Sequence, residues 1–208
     1  MVQKEKDKPR RGRPRGYDPK TALAQAAATF WKAGYAGTSL DDLAAGTGMN
    51  RPSLYAAFGD KRDLYLKTLA HYRDESRALS LGMLADGPPL RVFLERFYKQ
   101  ALDLYLDDGP RGCYSIGTAA TVAAVDDEVR AFLADSMRST DLFLRRQFEK
   151  ARERGEIAAD ADPAALAYLA SATLHTLAIR SRAGLPRAEL DALASAAIGV
   201  ICGEARHA

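Results

Sequence analysis

Polar side chains that can read DNA are concentrated in one short segment, residues 50–58, and they are Asn50, Arg51, Ser53 and Tyr55. An Arg guanidinium can pair with a guanine edge, and an Asn amide can pair with an adenine edge. Ser and Tyr hydroxyls suit phosphate oxygens. Leu54 and Phe58 are four residues apart and can face inwards together from one helix. The segment therefore predicts a helix whose exposed side contacts duplex DNA.

Three short helices and the start of a fourth must position this segment. The first follows Asp18, a good N-cap with Pro at the next position. The second starts at Thr38 or Ser39, where an acidic residue three positions later completes a capping-box pattern. The third begins near Asn50, and the fourth follows Asp60. Short helices joined by turns of three or four residues are typical of a helix-turn-helix.

Phosphate contacts are predicted at the start of the second helix and just after the third. Thr38 and Ser39 place hydroxyls and unpaired backbone N–H groups at a helix start, which is a natural phosphate site. Lys61 follows the third helix closely and would reach the DNA backbone. A three-helix bundle with a purely structural role is the alternative interpretation of the same segment.

Residues 19–67 resemble the DNA-binding domain of the TetR family of regulators. The resemblance rests on residue types in that family's spacing, namely Thr38, Ser39, Leu43, Ala44, Gly48, Ser53, Leu54, Tyr55, Phe58, Lys61 and Leu64. It implies that 50–58 is the recognition helix and that Arg51, Pro52 and Ser53 lie nearest the bases. It also implies phosphate contacts by Thr38, Tyr55 and Lys61. Relatives with larger side chains than Ala at positions 56 and 57 differ here, so the operator sequence does not carry over.

The first 16 residues form a basic arm. They hold seven Lys or Arg against two acidic residues, whereas the rest of the chain holds 23 basic and 25 acidic residues. Pro and Gly keep residues 12–16 extended, so Arg13 and Arg15 can enter a narrow minor groove. The alternative is a solubilising tail or a cloning remnant.

The remaining chain shows helical periodicity without a convincing strand pattern or an internal repeat. An all-α fold of about nine helices is therefore predicted, with later helices at about 90–107, 112–124, 127–154, 163–183 and 187–204. We divide the chain into a flexible arm (1–16), a helix-turn-helix domain (17–65) and a ligand-binding and dimerisation domain (66–208). The fourth helix, which joins the last two, is expected to couple them.

The last two helices each have an apolar face that fits a dimer seam. On the eighth helix the predicted seam residues are Leu166, Leu169, Ala170, Leu174 and Leu177. On the ninth they are Leu190, Leu193, Ala197, Ile198 and Ile201. Small residues among them allow close helix approach, as in a four-helix interface between two subunits. The competing interpretation is that these faces pack within one chain.

The TetR resemblance implies an inducer site among the middle helices. Its candidate residues are Phe97, Tyr105, Cys113, Tyr114, Phe143 and His175. Aromatic residues at helical spacing are more often simple core residues, which is the alternative for this set. Cys113 opens a helix after a Pro-containing loop, where a thiol can act as a sensor. It can equally be a small buried hydrophobic residue.

Other classes of protein are disfavoured. The three His residues are isolated, and no cluster has metal-ligand spacing, so we expect neither an enzyme nor a metal or other cofactor. No apolar run reaches the ~18 residues of a membrane span, and a cytoplasmic location is expected. The sequence thus predicts a ligand-inducible repressor that binds a palindromic operator as a homodimer. An activator, a ligand-independent regulator, a redox sensor using Cys113 and a non-specific architectural DNA binder remain alternatives.

Overall fold

The computed structural model describes residues 17–203, and every regular element in that range is a helix. The helices are α1 (Pro19–Gly37), α2 (Leu40–Thr47), α3 (Arg51–Phe58), α4 (Lys61–Gly82), α5 (Leu90–Leu106), a π-helical turn (Ser115–Ala119), α6 (Ala120–Val122), α7 (Asp127–Glu153), α8 (Pro163–Arg182) and α9 (Arg187–Ile201). The predicted all-α fold is therefore confirmed. The basic arm, with Arg13 and Arg15, lies outside the described residues.

Each of the first four helices begins at a side-chain cap. These N-caps are Asp18, Ser39, Asn50 and Asp60. Their side chains accept hydrogen bonds from backbone N–H groups that have no partner within the helix. Because α2 and α3 have only eight residues each, they are too short to be stable alone. Caps and burial together fix their ends.

The segment predicted as a helix over 112–124 is less regular than expected. Gly112 has a φ of +65°, which is outside the helical region, and it packs against the backbone of Ala178. The π-helical turn and α6 start after it and end at Val122. The last helix likewise ends at Ile201 instead of 204. Close backbone contact, which sequence periodicity does not report, sets the first of these boundaries.

Two apolar cores run through the molecule. One joins α5, α7, α8 and α9 around residues such as Tyr98, Leu144 and Leu177. The other fills the helix-turn-helix around Phe30 and also contains Tyr114, Ala119, Val122, Ala123 and Val129 from the second half. The helices α1 to α4 therefore share a core with the π-helical turn, α6 and the start of α7. Within residues 17–203, no helix is both long and apolar enough to cross a membrane.

Candidate DNA interface and ligand cavity

The α3 helix separates its apolar and polar residues onto two faces. Leu54 and Phe58 are buried in the N-terminal core. The opposite face is open to solvent and carries Asn50, Arg51, Pro52, Ser53, Tyr55 and Ala56. The Tyr55 side chain is 46% exposed although it is aromatic. The predicted base-contacting and phosphate-contacting residues of α3 thus share one accessible surface.

Arg51 is held by an acidic residue of the preceding helix. Its Nε donates to Asp41 Oδ1 at 2.7 Å, and its Nη2 donates to Asp41 Oδ2. The two side chains are 53% and 72% exposed. These hydrogen bonds, followed by the carboxylate charge, raise the pKa of Arg51. Sequence analysis did not anticipate this pair, because the residues are ten positions apart on different helices.

The start of α2 assigns different roles to Thr38 and Ser39. Ser39 is exposed and forms a capping box with Asp42, whose pKa is lowered by the Ser39 hydroxyl and backbone N–H. Thr38 is only 2% exposed, and its hydroxyl donates to Gly34 O at 2.7 Å. The structure therefore turns the Thr38 hydroxyl inwards, away from the predicted phosphate contact. Its intrachain bond closes the end of α1 instead.

Two lysines in the first turns of α4 contact α1 and α3. Lys61 Nζ lies 4.5 Å from the centre of the Tyr35 ring, a cation–π contact that holds the ammonium near the start of the helix. Lys67 Nζ donates to Phe58 O, the last residue of α3, at 2.7 Å. Sequence analysis did not identify Lys67 as part of this region. The unpaired carbonyls at a helix end, which favour a nearby cation, are the signal that could have identified it.

An aromatic cluster joins the N-terminal helices to the second half. It consists of Phe30, Trp31, Tyr35, Tyr65, Tyr72 and Tyr114. The Tyr65 hydroxyl donates to Thr118 Oγ1 at 2.8 Å, and burial raises the pKa of Tyr65 to about 12. Tyr114 is fully buried, with its hydroxyl 2.7 Å from Thr68 Oγ1. Tyr114 thus belongs to this cluster and does not line the cavity for which it was predicted.

An ion-pair cluster also links the two halves. Arg62 Nε and Nη2 donate to the two carboxylate oxygens of Asp126 at 2.6 and 2.9 Å, and Nη2 also reaches Glu128. The Arg62 hydrogen bonds, together with backbone N–H groups of α7, lower the pKa of Asp126 to about 2. The start of α4 is therefore fixed to the start of α7. Sequence analysis missed this pair because its members are 64 positions apart.

A cavity of about 350 Å³ lies between α4, α5, α7 and α8. Five of the six predicted ligand residues line it, namely Phe97, Tyr105, Cys113, Phe143 and His175. Burial lowers the pKa of His175, against an opposing effect of Asp141. The imidazole is therefore neutral near pH 7. The Ser136 hydroxyl, in the same wall, is buried without a hydrogen-bond partner among the described residues.

Cys113 lies in the cavity wall beside a phenol. The Tyr72 hydroxyl donates to Cys113 Sγ at 3.7 Å, and burial raises the pKa of Tyr72 well above its usual value. The thiol is half-buried and forms no disulfide with Cys202. Within residues 17–203, no group of three His, Cys, Asp or Glu residues is arranged to hold a metal ion.

Half of the ten predicted dimer-seam residues are core residues within the chain. Ala170, Leu177, Leu190, Ile198 and Ile201 are buried, and Leu166, Leu174, Leu193 and Ala197 are partly buried. Only Leu169 is clearly exposed among the predicted set. Packing of α8 against α5, α7 and α9 buries five of the ten within the chain, as the competing interpretation expects for them. The exposed apolar residues of these helices are instead Tyr168, Leu169, Ile179 and Val200.

Two protein-family models match the chain along most of its length. The model for bacterial regulatory proteins of the tetR family matches residues 22–68. The model for the tetracyclin repressor-like C-terminal domain matches residues 90–197, more than half of the chain. The chain belongs to the TetR family. It is accordingly a DNA-binding transcriptional regulator.

Similar proteins agree with this TetR-family assignment. The HTH-type transcriptional repressor ComR of Escherichia coli is 28% identical over 176 residues, covering 84% of each chain. The regulator YezE of Bacillus subtilis is 30% identical over 159 residues, covering 75% of this chain and 81% of YezE. A cysteine mutant of the TetR family regulator CifR, solved with 26bp double-strand operator DNA, is 31% identical with a TM-score of 0.81. That likeness covers 90% of this TetR-family chain and 98% of CifR.

Proposed function

We propose that this regulator is a ligand-inducible repressor that acts in the cytoplasm as a homodimer on a palindromic operator. The observation that carries the proposal is the position of α4. Near its start, Lys67 donates a hydrogen bond to Phe58 O at the end of α3. Later residues of the same helix, including Tyr72 and Ser76, line the cavity. A ligand in the cavity would therefore touch the helix that positions the DNA-reading surface.

Each exposed residue of the interface has a proposed role. Arg51, Pro52 and Ser53 face the bases, while Ser39, Tyr55 and Lys61 contact phosphates. Asn50 Oδ1 accepts from Ser53 N at 2.9 Å as the N-cap, which leaves its amide NH₂ to donate to DNA. Arg13 and Arg15 would add minor-groove contacts from the arm. The proposed domain bounds remain 1–16, 17–65 and 66–208.

The proposed dimer seam uses the solvent-facing sides of α8 and α9. Tyr168, Leu169 and Ile179 lie on one helical face of α8, and Val200 lies on α9. Small residues lie beside them on the same two helices. They are Ala172 on α8 and Ala192, Ala196 and the half-buried Gly199 on α9. Two copies of this surface would form a two-fold symmetric four-helix interface. The symmetry would place two recognition helices on successive major grooves, about 34 Å apart.

Release from DNA follows from a shift between two states. A ligand favours the state in which it binds more tightly. A cavity ligand that moves α4 would favour a separation of the recognition helices other than about 34 Å, and the dimer would no longer fit successive grooves. The cavity candidates are Phe97, Tyr105, Cys113, Phe143 and His175.

Selection of binding sites from a randomised duplex library by the full-length protein tests this function. We expect a two-fold symmetric consensus, and Arg51→Ala should relax preference at one base position per half-site. The same operator placed before a reporter gene should lower expression when the regulator is present. Binding without any consensus would support the architectural binder instead. Raised expression would identify an activator.

A redox-sensing function through Cys113 is the second candidate. The observation that favours it is the contact between Cys113 Sγ and the Tyr72 hydroxyl in the cavity wall. Oxidation of the thiol would replace a small group with a larger polar one at that point. Peroxide should then release the protein from its operator, and Cys113→Ser should abolish the response while Cys202→Ser keeps it. An unchanged peroxide response in Cys113→Ser would exclude this function.

A further inference from the structure

The ion pair between Asp41 and Arg51 lies at the protein surface, between the starts of two helices. Both side chains are more than half exposed, and an exposed ion pair contributes little to stability. Arg51 is the first residue of the recognition helix, and Asp41 is the second residue of α2. The pair therefore lies at the adjoining starts of the two helices that form the helix-turn-helix. The hydrogen bonds to Asp41 determine which N–H donors of Arg51 remain available for a second partner.

The hydrogen bonds of Arg51 leave one edge of the guanidinium available. An Arg side chain has five N–H donors in a fixed plane. Asp41 accepts one from Nε and one from Nη2, so it occupies the side edge of the group. The outer edge keeps one donor on Nη1 and one on Nη2, and these are parallel. Two parallel donors match the O6 and N7 acceptors that guanine presents in the major groove.

We propose that Asp41 is a positioning residue for sequence recognition, which orients Arg51 so that its outer edge reads a guanine. The inference rests on the proposed base reading by Arg51. The ligand is one guanine base in each half-site of the operator. Asp41 itself needs no contact with DNA for this role.

The carboxylate also limits the alternatives open to Arg51. A long Arg side chain loses rotamer freedom when it binds, and a partner already holding it reduces that loss. Without Asp41, the guanidinium is free to turn to a phosphate, which gives affinity but carries no sequence information. Loss of Asp41 should therefore raise affinity for unrelated DNA and lower preference for the guanine. These opposite changes distinguish positioning from a general loss of folding.

The experiment compares four full-length proteins on the selected consensus duplex and on duplexes substituted at each base position. The proteins are the wild type, Asp41→Asn, Arg51→Ala and the double variant. Bidentate Arg contacts discriminate against a wrong base by roughly tenfold to a hundredfold. We expect Arg51→Ala to remove that preference at one position and Asp41→Asn to lower it there by about threefold to tenfold. In the Arg51→Ala background, Asp41→Asn should change nothing further at that position.

Asp42→Asn is the matched control, because it removes the same charge from the same helical turn. Asp42 binds Ser39 and has no hydrogen bond or ion pair with Arg51, so the guanine preference should stay intact. Thermal unfolding of each protein is measured alongside, and Asp41→Ser serves if Asp41→Asn is poorly folded. Full preference in a folded Asp41 variant would overturn the inference. So would an equal loss in the Arg51→Ala background, since Asp41 would then read the base itself. Unchanged preference in Arg51→Ala would instead refute the proposed base reading.

Discussion

The two halves of the molecule begin their helices differently. All four helices that form or adjoin the helix-turn-helix start at a side chain that accepts a backbone N–H. In the second half, Asp126 and Asp162 cap α7 and α8 in the same way, whereas α5 and α9 start after Pro89 and Pro186 with no side-chain cap. The second half compensates by burial, since both helices pack into its apolar core. Side-chain caps thus mark every helix start around the helix-turn-helix, whereas α5 and α9 depend on burial alone.

The buried polar atoms that lack a hydrogen bond lie outside α1, α2 and α3. Among the described residues, the buried side-chain atoms without a hydrogen bond belong to His71, Arg111, Ser136 and Asp141, none of which lies in the helix-turn-helix. Buried polar atoms normally have partners. A ligand or a water molecule in the cavity could satisfy Ser136, which lines it. The second half thus holds a buried hydroxyl in the cavity wall with no partner among the described residues.

The largest expected effect tests whether the two halves unfold separately. Tyr65 is fully buried and contacts both Phe30 and Tyr114 across the shared core. Tyr65→Ala should lower the free energy of unfolding by about 3–5 kcal/mol. Tyr65→Phe removes only the bond to Thr118 and should cost about 1 kcal/mol. Denaturant unfolding followed by far-UV circular dichroism measures both.

Tyr55→Ala is the control for this series, because Tyr55 is exposed on the DNA-facing surface. It should change the free energy of unfolding by less than about 0.5 kcal/mol. A single transition in all three variants is expected. Two transitions, with only the first moved by Tyr65→Ala, would contradict a shared core.

A smaller effect concerns the ion pair that joins the halves. The pKa of Asp126 in the folded protein is lowered to about 2, below an unfolded value near 3.9. Its stabilising effect is therefore complete above the unfolded pKa and is lost as pH falls through the folded one. The melting temperature of wild type should exceed that of Asp126→Asn at pH 6, and the difference should shrink between about pH 4 and pH 2. Arg62→Gln should show the same narrowing; a constant difference would contradict the assignment.

The next prediction concerns how the affinity for operator DNA depends on salt. Lys61→Ala should weaken binding to all sequences alike and reduce the slope of log affinity against log salt by about 0.9. The reason is the loss of one released counterion. Lys99→Ala removes the same charge from an exposed site on α5 and should leave the slope unchanged. An unaltered slope in Lys61→Ala would remove Lys61 from the phosphate contacts.

The smallest expected effect compares a hydroxyl without a partner and one with a partner. Ser136→Ala removes a buried, unpaired oxygen and should change the free energy of unfolding by less than about 0.5 kcal/mol. Thr173→Val removes a hydroxyl that donates to Leu169 O at 2.9 Å and should cost about 1 kcal/mol. Equal losses in the two variants would show that the Ser136 hydroxyl has a partner in solution.

The sequence predicts the N-terminal helices well because their signals are local. Asp18 and Asp60 are N-caps both in the prediction and in the structure, and each acts on residues within one turn of it. The helix-turn-helix follows from these starts and from the inward positions of Leu54 and Phe58. The structure places five of the six predicted ligand residues in the cavity wall, although their binding role remains a prediction.

The burial of the later helices depends on which helices pack against each other. A periodic pattern of apolar residues does not contain that information. The α8 helix is apolar on more than one side, so residues such as Leu177 and Ile179 look alike in sequence. The structure buries Leu177, a predicted seam residue, and exposes Ile179, which was not predicted. Tyr114 and Thr38 similarly have types that suit a binding site, yet their hydroxyls bond within the chain. Only the packed structure separates these cases.

Because α4 is long, a small tilt at one of its ends produces a large displacement at the other. Its 22 residues correspond to a rod of about 33 Å at about 1.5 Å per residue. A tilt of about 5° pivoting at the cavity end would displace the other end of such a rod by about 3 Å. That is close to the 3.4 Å rise of one base pair. A rotation small enough to leave every helix intact would thus be enough to put the recognition helix out of register with its site.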